Sequence, residues 1–168
     1  GLAKEMEVVG VKARQGKKVY DRIKDFSELC LDYDVTILPP TKFFLPARET
    51  LVEFKAGGKS NPVTDERPRA IIGVHPYDIK AIELLDEAFL VTNPDPNYAA
   101  RRLNTVIIGV DCLNPSLKSF APSMDTAQVD SGFDLLLTDI GNGFAVTIGS
   151  EKGEIILRKY SQTRELTG

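Results

Sequence analysis

The stretch Ala70-Ile71-Ile72-Gly73-Val74-His75-Pro76-Tyr77-Asp78, answered further on by Thr105-Val106-Ile107-Ile108-Gly109-Val110, decides how this chain folds. Each contains a short apolar run rich in β-branched residues, the composition of a strand buried on both faces. Pro76 then suits the first turn of a helix, where its missing N–H costs nothing. Asp78 stands where a negative charge complements the helix dipole. Ile79, Ile82, Leu85 and Phe89 fall on one helical face, while Lys80, Glu83 and Glu87 face away. Asn93-Pro94-Asp95-Pro96 interrupts the pattern, and a second short helix through Tyr98 to Leu103 leads into the second strand. This is a βαβ unit, so the two strands are expected to be parallel with a right-handed crossover.

Upstream, Glu7 to Val11 and Lys18 to Ile23 alternate around Gln15-Gly16, the pattern of a hairpin. Phe26 to Leu31 has the apolar spacing of a short helix. Asp34 to Pro40 ends in two prolines that impose an extended path, which Phe43 to Pro46 continues. Leu51 to Phe54 reads as a short strand, and residues 56–69, rich in Gly, Pro and charge, as a flexible surface loop. Downstream, Phe133 to Asp139, Phe144 to Ile148 and Glu154 to Leu157 read as strands. The turns Ile140 to Gly143 and Ser150 to Gly153 would join them as antiparallel hairpins. The expectation is an α/β fold. It is a single domain over residues 1–168, with a mixed β-sheet, a central right-handed βαβ unit and C-terminal antiparallel hairpins.

A chain of 168 residues is long enough for one sizeable core. A net charge of −3 argues against a nucleic-acid-binding surface. No apolar run is long enough for a membrane span, and no leader pattern opens the chain, so a cytoplasmic location is expected. Two cysteines, Cys30 and Cys112, and one histidine are too few for a disulfide framework or a four-ligand metal site. No metal ligand is therefore assigned. Gly73 and Gly109 belong to no G-x-G-x-x-G turn, which disfavours a dinucleotide site.

Several residues merit singling out. His75, at a strand end, either caps the helix, hydrogen-bonds the core edge, or lines a site of the kind α/β sheets place there. Asp78 is a dipole partner or a pocket residue. Cys112 is a packed thiol or a functional one. Arg48, Arg101 and Arg102 either anchor a phosphate or a partner's carboxylate, or are solvated surface groups or internal salt bridges. No nucleophile has a base nearby in sequence, so no catalytic residue is assigned, and the chain is not expected to be catalytic by itself.

Several ordered blocks also resemble one family. Gly73-Val74-His75-Pro76-Tyr77-Asp78 matches a G-V-H-P-C-D segment. The loop from Asp111-Cys112 to Ser119-Phe120-Ala121-Pro122-Ser123-Met124 matches C-x-x-P-x-x-x-C-F-C-x-S-M. Leu31-Asp32-Tyr33, Thr36 to Glu49, Tyr98 to Asn104, Gly132 to Leu135 and Gly149 to Gly153 fall in the same order. The chain resembles the iron–sulfur electron-transfer subunits of the sulfhydrogenase beta and anaerobic sulfite reductase A type. That resemblance implies 4Fe–4S clusters in the family and redox partners, either flavin- or nicotinamide-binding subunits or hydrogenase and reductase subunits. Here the cysteine-bearing positions hold Tyr77, Cys112, Ser119 and Ala121, so the cluster site is degenerate and no cofactor is expected in this chain. The family's cysteine-rich C-terminal run has no counterpart in Gln162 to Gly168. The leading expectation is a cluster-less scaffold or docking domain of a redox subunit. The alternatives are a part of a working iron–sulfur protein whose clusters lie elsewhere, and reuse of the emptied pocket for a small ligand or catalysis.

Overall fold

The computed structural model describes residues 1–161. The cysteine-free tail 162–168 lies outside them. A six-stranded sheet runs in the order β2-β1-β5-β6-β7-β8, with β1 at Glu7–Arg14, β2 at Lys17–Arg22, β5 at Arg69–Val74, β6 at Thr105–Val110, β7 at Leu135–Asp139 and β8 at Phe144–Ile148. Strands β1, β5, β6 and β7 are parallel, and the two edge strands β2 and β8 are antiparallel to their neighbours. The mixed sheet expected from sequence is therefore present. Every residue of β6 is buried, as its continuous apolar run requires.

The crossover from β5 to β6 consists of α1 at Pro76–Asp86, a π-helical continuation over Glu87–Thr92, and α2 at Pro96–Leu103. Ile79 and Ile82 are fully buried, and Leu85 and Phe89 pack beside them, so the helical stripe read from sequence faces the core. Asp95 caps α2 by accepting from the Tyr98 N–H at 2.8 Å. One core, including Val9, Ile71, Ile107, Phe44, Tyr98 and Leu136, lies between the sheet and these helices. A second, smaller core of Ala70, Val106, Ile108 and Leu135 lies on the other face, under α3 at Glu151–Tyr160.

Four local expectations are corrected. Glu154 to Leu157 is not a strand but the middle of α3, and Ser150 to Gly153 opens that helix, so only one C-terminal hairpin, β7–β8, forms. Ser150 accepts from the Gly153 N–H at 3.1 Å, Glu151 and Glu154 occupy the first turn, and Arg158 pairs with Glu154 one turn on. Gly153 is needed because a Cβ there would lie 2.0 Å from the Asp134 carbonyl oxygen, so the helix starts pressed against the sheet. Phe26 to Leu31 forms only a 3-10 turn over Phe26–Glu28, and Pro40–Phe43 is a 3-10 turn rather than an extended path. Within residues 56–69, β4 at Ser60–Pro62 pairs with β3 at Val52–Phe54 as an exposed ribbon, and Arg69 already belongs to β5 and is buried.

Candidate functional site

The carboxyl ends of β5 and β6, where open α/β sheets hold their ligands, meet the segment Leu31 to Val35 and the loop Cys112 to Thr126. The local path of β5 explains why. Gly73 has φ +86° at a register shift in the β5–β6 pairing, a bulge that only glycine adopts cheaply. The bulge turns its carbonyl toward two phenols: Tyr33 Oη donates to it at 2.5 Å, and Tyr20 Oη lies 3.1 Å from it and 2.8 Å from the Tyr33 oxygen. Burial pushes both tyrosine pKa values upward, so both stay protonated hydrogen-bond donors at any ordinary pH.

His75 sits beside this pair, 1% exposed. Its Nδ1 is 3.0 Å from the Val110 carbonyl oxygen and its Nε2 is 2.8 Å from that of Tyr33. The imidazole stacks on the Tyr33 ring at a centroid distance of 4.1 Å. It is the N-cap residue of α1 through its backbone carbonyl, while its ring makes no cap bond and faces the core edge instead. It also lines the cleft that holds Cys112. The histidine thus ties the end of β6 to the Leu31–Val35 segment across β5.

The four positions singled out by the resemblance fall around that knot in two adjoining clefts. Tyr77, Ser119 and Ala121 line one of about 410 Å³, together with Asp34, Val35 and Phe120. Cys112 lines the other, of about 240 Å³, with His75, Asp32, Asp111 and Asp139. Tyr77 Oη is a donor to the Asp34 carbonyl oxygen, which leaves its phenol engaged by protein, and burial raises its pKa far above that of a free tyrosine. Burial, then the Asp34 carboxylate, pushes the Cys112 thiol above its ordinary value, so at neutral pH it is a thiol and not a thiolate. Asp78, in the first turn of α1, has its carboxyl pushed up to about 7 by burial.

A four-iron cluster needs thiolate ligands, and these residues do not supply them. Ser119 is a hard hydroxyl donor, Ala121 offers no ligand atom, and Tyr77 is already bonded. Among the described residues, no group of three or more His, Cys, Asp or Glu side chains is placed to hold a metal ion.

Arg101 and Arg102 lie away from these clefts. Arg101 donates to the Phe44 carbonyl at 2.7 Å and pairs with Glu49, and Arg102 forks onto Asp86, which also accepts from Tyr98 Oη at 2.6 Å. Both therefore take the internal salt bridge among their readings. Arg48 is exposed and forms no ion pair among the described residues. Sequence reasoning missed Tyr20, Tyr33, Asp32 and Asp34. Leu31-Asp32-Tyr33 stood out only as part of the resemblance, and Tyr20 gave no signal beyond strand alternation.

No helix among the described residues is long and apolar enough to cross a membrane. No family model matches the chain, and no solved structure does. A relative is the sulfhydrogenase 2 subunit beta of Pyrococcus furiosus, 36% identical over 137 residues. The match takes in 80% of this chain, which spans only 40% of that relative's length. With 36% identity over 80% of its length, the chain belongs to the sulfhydrogenase beta-type family.

Proposed function

We propose that this chain is a scaffold and docking domain of a redox subunit, keeping the family's fold at a cluster site that has lost its ligands. The observation that carries the reading is the donor set at Tyr77, Cys112, Ser119 and Ala121: a single thiol, a phenol already bonded to the Asp34 carbonyl oxygen, a hydroxyl and a methyl. Iron–sulfur ligation requires thiolates from several cysteines, so direct electron relay through this loop has no ligands to rest on.

What remains suits contact with another subunit. The loop exposes Leu113, Leu117, Phe120 and Met124, and Val35 shares a cleft wall with Phe120. Asp34 and Lys118 line that cleft, and Asp32, Asp111 and Asp139 line the adjoining one, so charged groups stand beside the apolar surface as they do in protein interfaces. The partners this reading names are the flavin- or nicotinamide-binding and hydrogenase or reductase subunits of such complexes. Cys30 and Cys112 are free thiols, which suits the reducing cytoplasm.

A second reading is favoured by one observation, the 40% coverage of the relative. On it, this domain is one part of a working iron–sulfur electron-transfer polypeptide whose clusters sit outside these residues. Iron and acid-labile sulfide are measured on this chain after reconstitution without oxygen. The scaffold reading predicts a colourless, folded protein with far less than one iron per chain. About four irons per chain, the content of one 4Fe–4S cluster, would overturn it.

A further inference from the structure

The opposite edge of the sheet holds a larger cavity, which neither family membership nor the scaffold reading explains. Arg69 opens β5 and His75 follows its end, so this cavity lies about 20 Å from the carboxyl-edge clefts at ~3.3 Å per strand residue. It has a volume of about 510 Å³, within the range of small-molecule sites. Five cationic side chains line it, Lys42, Arg48, Arg67, Arg69 and Arg101, against three carboxylates, Glu49, Asp65 and Glu66.

The pairing among these groups leaves positive charge over. Arg101, 4% exposed, is matched by Glu49, and Arg69, 7% exposed, by Glu7. Asp65 serves two guanidinium groups, holding Arg67 at 2.7 Å and standing 3.6 Å from Arg69. Lys42 has only a neutral acceptor, the Tyr20 carbonyl oxygen at 2.8 Å, and stands over the Phe43 ring at 5.0 Å. Burial lowers its pKa, and the nearby Asp21 carboxylate only partly offsets that. Arg48 has no carboxylate partner among the described residues. Lys42 and Arg48 thus face the cavity without an ion pair among the described residues, while Glu66 accepts only from the Thr64 hydroxyl at 3.1 Å. Counting Glu7, five cations meet four carboxylates, with Thr50, Thr64 and Asn97 in the same wall as neutral hydrogen-bonding groups.

We propose that this amino-edge cavity binds a small phosphate-bearing anion of two or more negative charges, held between Lys42 and Arg48 with the buried Arg69 and Arg101 behind them. Planar guanidinium forks favour tetrahedral phosphate oxygens, and a partly desolvated ammonium gains most from a concentrated charge. The Phe43 ring already carries Lys42 and Arg69 on it, so the wall offers no free aromatic face for a base. Recognition therefore rests on the phosphate groups.

The probe is inorganic pyrophosphate, titrated calorimetrically into the protein at low ionic strength, with succinate as a dianion lacking phosphorus. One saturable site is expected, weakened about tenfold or more by Arg48→Ala and abolished by Arg48→Glu. Arg48 is exposed and unpaired, so neither substitution threatens the fold, which circular dichroism verifies. Succinate binds at least about tenfold more weakly than pyrophosphate. No saturable heat with folded protein would overturn the proposal. So would pyrophosphate binding unchanged in Arg48→Glu, which would put the anion elsewhere, or succinate binding as tightly as pyrophosphate.

Discussion

The βαβ unit and the loop that follows it are neighbours in sequence and opposites in physical character. From Arg69 to Val110 the chain buries most of both strands, and it seats Ile79, Ile82, Tyr98 and Ile107 with no exposure at all. From Cys112 to Thr126 it leaves Leu113, Leu117, Phe120 and Met124 more than half exposed and forms only a 3-10 turn at Pro122–Met124. The first region is held by its own core. The second leaves its large apolar side chains to solvent. At its base Tyr77 donates to the Asp34 carbonyl oxygen and the Cys112 thiol is partly buried.

That contrast is broken or sharpened most strongly by core truncation. Ile107→Ala removes a fully buried side chain between the sheet and α1, and is expected to cost about 3 kcal/mol in urea unfolding. A cost no larger than that of a surface change would show that the βαβ unit is not the rigid half.

The next effect tests the boundary between the regions. Asp78 titrates at about 7 in the folded chain against an ordinary 3.8, with burial as the cause. Between these values the folded state holds a proton that the unfolded state has lost. Asp78 therefore lets stability fall as pH rises from about 4, until the loss is complete above about 7. Asp78→Asn removes this term, so at pH 8 the variant should be more stable than the parent by about 2 kcal/mol, and by much less near pH 4. Equal unfolding midpoints for the two proteins at pH 8 would contradict the burial argument.

The smallest effect belongs to the loop. Leu117→Ala and Phe120→Ala should each change stability by less than about 0.5 kcal/mol, because these side chains have little native burial to lose. If both truncations destabilise as Ile107→Ala does, the loop is part of the core and the contrast fails.

The sequence made the first region legible because its signals are local and agree with one another. An apolar β-branched run, a proline at a helix start and a stripe of 3.6 periodicity all point to strand, helix and parallel strand. It misled at α3 because Ile155-Ile156-Leu157 has the composition of a strand and Ser150-Glu151-Lys152-Gly153 that of a turn. The deciding facts are the Ser150 cap and the close seat of Gly153 on Asp134, the second of which exists only once β7 is in place. The carboxyl-edge knot was hidden for a similar reason. His75 meets Tyr33, and Tyr20 meets Gly73, across more than forty intervening residues, and no local pattern announces such contacts. The pairing of Arg101 with Glu49 and Arg102 with Asp86 was one of two open readings that only tertiary placement could separate. Tyr77, Cys112, Ser119 and Ala121 stood out through resemblance alone, since nothing in Tyr77, Ser119 or Ala121 taken singly suggests a metal.

On the proposed reading the scaffold is intact and only the ligands are gone. The triple substitution Tyr77→Cys, Ser119→Cys and Ala121→Cys, made with Cys112 in place, tests both halves together. Iron and acid-labile sulfide are measured after anaerobic reconstitution, with the parent chain treated alongside. The expected result is about four irons and four sulfides per folded variant chain and none in the parent, as four thiolates around one cluster require. A folded variant that takes up no more iron than its parent would contradict the claim, because the scaffold would then no longer hold these four positions around one cluster.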